Sequence, residues 1–473
     1  MYFWNRRKSL DALASLEEGK KLKPTLSWWH LVAMGVGAIV GTGIYTLTGI
    51  GAGLAGPAVI LSFALCGLIC ACAAFCYAEM ATMIPAAGSA YTYSYAVLGE
   101  MLAWIVGWSL ILEYTVAAAA VAVGWSAHVA EFIKAAGIPI PEQLLHGVMS
   151  GGLVDLPAII IAGAVTLLLI AGTRESATVN LFLVGIKIAA LILFVVLTSM
   201  AFDPSRFVPF APYGFGAHVD PDGVKRGVMA AAALIFFAFY GFDAVSTAAE
   251  ETKNPSRDLT IGIIGSMAIC TVIYVLVAGS ALGASSYLDF SQSAAPLVYI
   301  LEGMGRMFSA QIVASAAIIA LPTVILVLMY GQSRVFFVMA RDGLLPQSLS
   351  TVHKTRGTPV LMTALTGLAV AVLAATLRLD EIALLANAGT LAAFVAVASC
   401  VLVLRLRDPG RARPFRTPLV WIIAPFCIIG CLYLFFNGLP EFTRVWFVLW
   451  NGAGLILYFA YGARRSRLRR EGV

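Results

Sequence analysis

The sequence predicts an all-α membrane protein of twelve transmembrane helices, built as two five-helix halves plus two further spans, with helices 1 and 6 discontinuous. Three observations predict it. Hydrophobic residues make up 60% of the 473 and charged residues 12%, with mean hydropathy +0.90, whereas a soluble chain carries about twice that charged share. Apolar stretches close to the ~20 residues needed to cross a hydrocarbon core recur along the whole length. Two of those stretches, roughly 200 residues apart, are interrupted in mid-membrane by helix-breaking residues, the pattern that points to a binding site in transporters with discontinuous helices.

The spans follow in order. Span 1 (30–52) carries Gly41-Thr42-Gly43 near its centre, and span 2 (57–84) carries four cysteines. The segment 85–99 reads as a cytoplasmic loop with a short helix. Span 3 (100–130) contains Glu113, span 4 (156–173) is uniformly apolar, and span 5 (177–200) contains Lys187. The second half opens with span 6 (228–249), broken at Tyr240-Gly241 before Asp243. Spans 7 (259–283), 8 (308–338), 9 (359–377) and 10 (382–405) complete it. The stretch 285–305 is too polar to span and reads as an external re-entrant or surface helix. Spans 11 (418–437) and 12 (441–462) follow the basic stretch RLRDPGRARPFRTP and are expected outside the core. The organisation is a tail over 1–29, halves over 30–200 and 228–406, peripheral spans over 418–462, and a tail over 463–473. Matching residues between the halves are few; the repeat rests on the spacing of the breaks.

Charge sets the orientation. With the N-terminus inside, most of the 31 basic residues fall in cytoplasmic segments, as the positive-inside rule requires. The external segments hold only Lys134, Arg206, Lys225, Arg226, Arg306, Arg378 and Arg444. Both termini are therefore expected in the cytoplasm, and the net charge of +6 reflects sidedness rather than nucleic-acid binding. Residues 1–29 mix Arg6, Arg7, Lys8, Lys20, Lys21 and Lys23 with acids and lack an apolar signal-peptide core, so no cleavable leader is expected. All eight cysteines lie in spans, which argues against a disulfide framework. Cys66, Cys70, Cys72 and Cys76 have no accompanying acid or histidine cluster and read as packing residues rather than metal ligands.

The breaks carry the chemistry. An unwound stretch in lipid exposes N–H and C=O groups that persist only where they line a cavity or meet a ligand. At Gly41-Thr42-Gly43, free N–H groups at the start of the following half-helix attract an anion such as a carboxylate, and the Thr42 hydroxyl adds a donor. The rival reading is close helix packing by small residues. The second break, Phe237-Ala238-Phe239-Tyr240-Gly241, leaves carbonyl oxygens suited to an ammonium group. Together they match the two ends of a zwitterion. The aromatic rings there face either the cavity or the packed core.

Lys187 is the basic residue deep inside a span, where a cation costs about 2.5–3.5 kcal/mol to insert. It reads as a proton-coupling site, since a lysine in apolar surroundings can exchange its proton, or as a tether on carbonyls of the unwound first helix. Glu113 reads as a partner for Lys187 or a second proton site, or as a carboxyl bonded to neighbouring helices. Asp243 orients the second break or serves an inner gate. Glu79, Glu250 and Glu251 lie near cytoplasmic ends, where solvated gate or interface roles are expected. The five histidines lie in loops or near membrane surfaces without metal-ligand spacing.

The stretches AMGVGAIVGTGIY, CYAEMATMIPAAGSAYTYSY, GWSLILEYTVAAAAVAVGWS, FYGFDAVSTAAEETKNPSRDLTIGI, GQSRVFFVMARDGLLP and EIALLANAGTLAAFVAVASCVLVLR closely resemble the cationic amino acid transporter family of the amino acid–polyamine–organocation superfamily. The resemblance covers roughly residues 25–460. It implies a five-plus-five inverted repeat of the LeuT-like type, working by alternating access on L-amino acids. It further implies that Ile39, Gly41, Thr42 and Gly43 contact the substrate backbone and that carbonyls of Phe237, Ala238 and Tyr240 take its amine. Lys187 falls where related sodium-coupled transporters bind sodium and resembles its replacement in a proton-linked cycle, while Glu113 matches the family's acid in span 3. Mammalian members have fourteen spans, so this chain resembles a bacterial, inner-membrane homologue. Leu321 takes the position that sets side-chain preference, and an apolar residue there offers nothing to a guanidinium or ammonium.

The expectation is a secondary transporter importing neutral, small or broad-range amino acids with protons. No cofactor is implied beyond the coupling proton; the partners are the substrate, protons and the bilayer, with room for a small single-span accessory subunit. Rival readings are an amino acid exchanger, a carrier of arginine or lysine, and a non-transporting amino acid sensor. No nucleophile–base pair converges in the spans, which argues against an enzyme.

Overall fold

The computed structural model describes residues 6–9, 24–135, 138–293, 295–353, 358–377 and 379–470. Most of the predicted N-terminal tail, with Lys20, Lys21 and Lys23, lies outside the described residues, as do Lys354, Arg356 and Arg378.

The first apolar stretch folds as α1 (Trp28–Ile39), α2 (Thr42–Tyr45) and α3 (Leu47–Ala55). Ser27 and His30 form a capping box that starts α1, which satisfies two of its otherwise orphaned donors. There follow α4 (Val59–Met83), α5 (Ser89–Val97), α6 (Glu100–Ala135), α7 (Leu156–Ala171) and α8 (Thr173–Ser199). The second half is α9 (Val228–Ile235), a single 3₁₀ turn (Phe236–Ala238), α10 (Ala244–Thr247), α11 (Pro255–Ala284), α12 (Tyr287–Phe290), α13 (Pro296–Gly303), α14 (Met307–Ala320), α15 (Pro322–Arg341), α16 (Val360–Thr376) and α17 (Leu379–Arg407). α18 (Val420–Tyr433) and α19 (Glu441–Leu457) close the chain. Two short antiparallel hairpins, pairing Leu145–His146 with Val154–Asp155 and His218–Val219 with Lys225–Arg226, are the sheets among the described residues.

Eight helices are long and apolar enough to cross a membrane, and four shorter apolar helices accompany them among the described residues. Two of those short helices, Trp28–Ile39 and Val228–Ala238, are the N-terminal pieces of the interrupted stretches. The expected helix in 85–99 is α5, and the polar stretch 285–305 folds as α12 and α13 rather than as a span.

The interior is built around the broken segments. α1 packs on α8, α11 and α15, and α10 on α15. α18 and α19 are largely exposed, in keeping with a peripheral place, yet α19 is clasped to α6. The Trp108 indole donates to Trp450 O and the Trp450 indole to Trp108 O, each at 2.9 Å, while Trp104 donates to Gly454 O at 2.8 Å. Span 8 is one apolar stretch, Met307–Arg341, whose helix is interrupted at Leu321, because Pro322 has no N–H for the helical bond and starts a new helix.

Candidate functional site

At the first break, α1 ends at Ile39 and the chain runs extended through Val40 (φ −76°, ψ 93°) and Gly41 (φ −140°, ψ −151°) before helix resumes at Thr42. The last carbonyls of α1 have no intrahelical partner, and three different elements supply one. Lys187 Nζ donates to Gly37 O at 3.0 Å and Val40 O at 2.5 Å. The Tyr274 hydroxyl of α11 donates to Ile39 O at 2.6 Å, and Thr323 Oγ1 of α15 to Gly37 O at 3.2 Å. A cation at a helix C-terminus also complements the macrodipole. On the other side of the break, the N–H groups of Thr42 and Gly43 have no acceptor among the described residues, and the buried Thr42 Oγ1 has no partner.

The second break has the opposite polarity. Phe239 N–H closes the 3₁₀ turn on Phe236 O at 3.0 Å, and main-chain bonding resumes with Ala244 N–H on Gly241 O at 3.1 Å. The carbonyls of Phe237, Ala238 and Tyr240 receive no main-chain bond among the described residues. Asp243 shapes this turn: its Oδ1 accepts from Gly241 N at 3.2 Å and its Oδ2 from the Tyr114 hydroxyl. Gly241 has φ +107°, a conformation that side chains resist. Asn387 of α17 donates to Ala233 O at 3.1 Å, a carbonyl the interrupted helix would otherwise leave open.

The two breaks lie against each other. A Cβ added at Gly43 would fall 2.4 Å from Ala238 Cα, and one at Gly241 would fall 2.8 Å from Ala38 Cβ. A Cβ at Gly41 would meet Val324 Cγ2 at 2.9 Å, so α15 closes a third side. Ile39, Thr42, Phe237, Ala238, Tyr240 and Leu321 are all buried. The Tyr240 hydroxyl is buried without a partner, and its ring lies 4.9 Å from that of Phe237. Phe239, in contrast, packs into the core against Tyr274 and Phe63.

The structure does not bring Glu113 to Lys187. Glu113 Oε1 accepts from Thr390 Oγ1 of α17 at 2.7 Å, and its Oε2 is buried without a partner. Nor are the three other acids solvated. Glu250 pairs with Arg341 at 2.8 Å, Glu251 with Arg334 at 3.1 Å, and Glu79 with Arg405 at 2.8 Å and Arg413 at 3.1 Å. All three are buried because arginine pairs them; an unpaired buried charge would be too costly. At the same end Lys8 pairs with Asp342, and Arg6 lies 3.7 Å from Glu100, whose carboxylate also accepts from Ser466. Burial draws the Lys8 ammonium below its ordinary value, and the Asp342 carboxylate opposes that.

Sequence reasoning placed the breaks and Lys187 but missed Tyr274, Thr323, Val324 and Asn387. Each is an ordinary residue in an apolar stretch, and its role follows only from which carbonyl or glycine it faces. The model for the amino acid permease family matches residues 26–460. The branched-chain amino acid permease BcaP of Bacillus subtilis (strain 168) is 43% identical over 470 residues, 98% of this chain and 99% of that one. A methylthioribose transporter from the same organism is 40% identical over 468 residues, again 98% and 99% of the two chains. The vacuolar cationic amino acid transporter 4 of Arabidopsis thaliana is 36% identical over 411 residues, 85% of this chain and 67% of its own. Permeases and transporters, not enzymes, are what this chain is similar to, and it belongs to the amino acid permease family, within the amino acid–polyamine–organocation superfamily.

Proposed function

We propose that the protein imports neutral apolar L-amino acids with protons by alternating access between the two five-helix halves. In this reading the chain crosses the inner membrane twelve times, with both termini in the cytoplasm. The observation that carries it is the facing pair of unpaired main-chain groups: N–H of Thr42 and Gly43 on one break, carbonyls of Phe237, Ala238 and Tyr240 on the other. Buried main-chain groups are almost always satisfied, so opposite polarities left open side by side suit a carboxylate at the first break and an ammonium at the second. Leu321 and Val324 lend the side-chain end an apolar character, and the 43% identical relative is named for branched-chain substrates.

Lys187 supplies the coupling. Its ammonium holds the C-terminal end of α1, and a neutral amine has one donor and the whole positive charge fewer. Proton loss therefore weakens the hold on α1 without cutting it and biases the arrangement of the first span. A second reading, exchange without protons, is favoured by the same two bonds if Lys187 works only as a fixed strut. Uptake into liposomes with an imposed pH gradient separates them. Accumulation that follows the gradient supports symport, and counterflow indifferent to it supports exchange. Methylthioribose belongs among the test substrates because of the 40% identical relative, and transport of that sugar in place of any amino acid would overturn the assignment of substrate class.

A further inference from the structure

Span 8 is broken beside the pocket, and the repair of that break comes from another helix. In an unbroken helix the N–H of residue 322 would bond to Ile318 O, and Pro322 has none to give. The Ile318 carbonyl accepts instead from the indole Nε1 of Trp125, on α6, at 2.6 Å. The single hydrogen of the Thr323 hydroxyl is shared between the neighbouring Ala320 O at 2.7 Å and Gly37 O on α1 at 3.2 Å. Leu321 N keeps its helical bond to Ala317 O at 2.9 Å, but Val324 N turns to Leu321 O at 3.0 Å. Val324, one turn of chain away from this repair, is the residue that presses on Gly41.

Resting on the reading of this site as an amino acid pocket, we infer that Trp125 is a positioning residue for substrate side-chain preference, its indole N–H replacing the helical bond that Pro322 removes and so fixing the direction in which Leu321 and Val324 face the substrate. Without that donor the Ile318 carbonyl is left open, and α14 loses the anchor that holds its angle to α15. The half-buried indole touches the backbone of span 8 rather than the substrate, so its effect runs through the geometry of the kink.

The test compares KM for leucine and for alanine in reconstituted liposomes. Trp125→Phe keeps an aromatic ring and removes the donor, and is expected to raise the leucine-to-alanine KM ratio by roughly fivefold, the scale of one net hydrogen bond. Pro322→Ala restores a main-chain N–H to Ile318 O, so in that background Trp125→Phe is expected to leave the ratio nearly unchanged. An unaltered ratio in the single variant, or the same shift in both backgrounds, would overturn the inference. Should Trp125→Phe alone fail to fold, recovery in the Pro322→Ala background supports it, and failure in both overturns it. A wild type that takes up neither amino acid would sink the pocket reading itself, which an unchanged ratio leaves standing.

Discussion

In the proposed cycle Lys187 combines two roles in one side chain. Its ammonium caps Gly37 O and Val40 O at the end of α1, which is the tether; the proposed cycle adds the proton exchange that the sequence offered beside it. Replacing it by Met leaves those carbonyls buried and open, at a cost of about 1–3 kcal/mol. Lys187→Met is expected to lower thermal stability of the purified protein and to abolish accumulation driven by a pH gradient; retained gradient-driven accumulation would remove Lys187 from the coupling. The lysine was legible because a cation in an apolar run is conspicuous. Tyr274 and Thr323, which share its task, were not. A threonine hydroxyl commonly bonds its own turn, as Thr323 also does, and the partner of a tyrosine hydroxyl is set by whichever helix lies opposite. Glu113 was legible as an acid but not by partner: its bond to Thr390 depends on how α6 meets α17, which no local pattern encodes.

At the scale of elements, the broken helices are held by close backbone approach, and the glycines differ in what a methyl group would strike. At Gly41 the obstacle is Val324 Cγ2, the end of a side chain; at Gly43 it is Ala238 Cα, main chain. Gly41→Ala is therefore expected to impair leucine uptake and to be rescued in part by Val324→Ala. Gly43→Ala is expected to abolish uptake with no rescue from Val324→Ala, because Ala238 backbone cannot yield. Uptake rates of the four variants decide this, and equal rescue of both glycine variants would contradict it. Tyr114→Phe removes a donor from Asp243, which shapes the second break, and is expected to raise KM for leucine more than it lowers expression. Both breaks were readable because glycine in mid-span, paired at Gly41 and Gly43 and single at Gly241, weakens a helix just where lipid offers its backbone no substitute partners. The third, at Pro322, was visible as a proline, yet its repair by Trp125 and its consequence for Val324 needed the neighbouring helix in view.

For the whole molecule, the end that carries both termini is tied shut by buried pairs. Glu251 with Arg334, Glu250 with Arg341 and Lys8 with Asp342 join α15 to the segment after α10 and to the N-terminal segment. Thr25 N and Leu26 N also bond to Glu251 O at 2.8 and 2.9 Å. Removing one member of a buried pair costs about 3–5 kcal/mol, enough to shift the balance between the two states of the proposed cycle. Arg334→Ala is expected to speed amide hydrogen exchange in α1 and to lower uptake, and unchanged protection of α1 would separate this network from the gate. Composition and span lengths made the helical membrane architecture plain, whereas which ends are sealed depends on residues far apart in the chain, 83 positions for Arg334 with Glu251 and 334 for Lys8 with Asp342. The central claim is that open main-chain groups on two facing breaks hold both charged ends of one small zwitterion. Its most direct measurement is competition against labelled leucine uptake in liposomes by 4-methylpentanoate, which lacks the amine, and by isoamylamine, which lacks the carboxylate. Neither should compete where unlabelled leucine competes fully, and competition by either one at the strength of leucine would contradict the account.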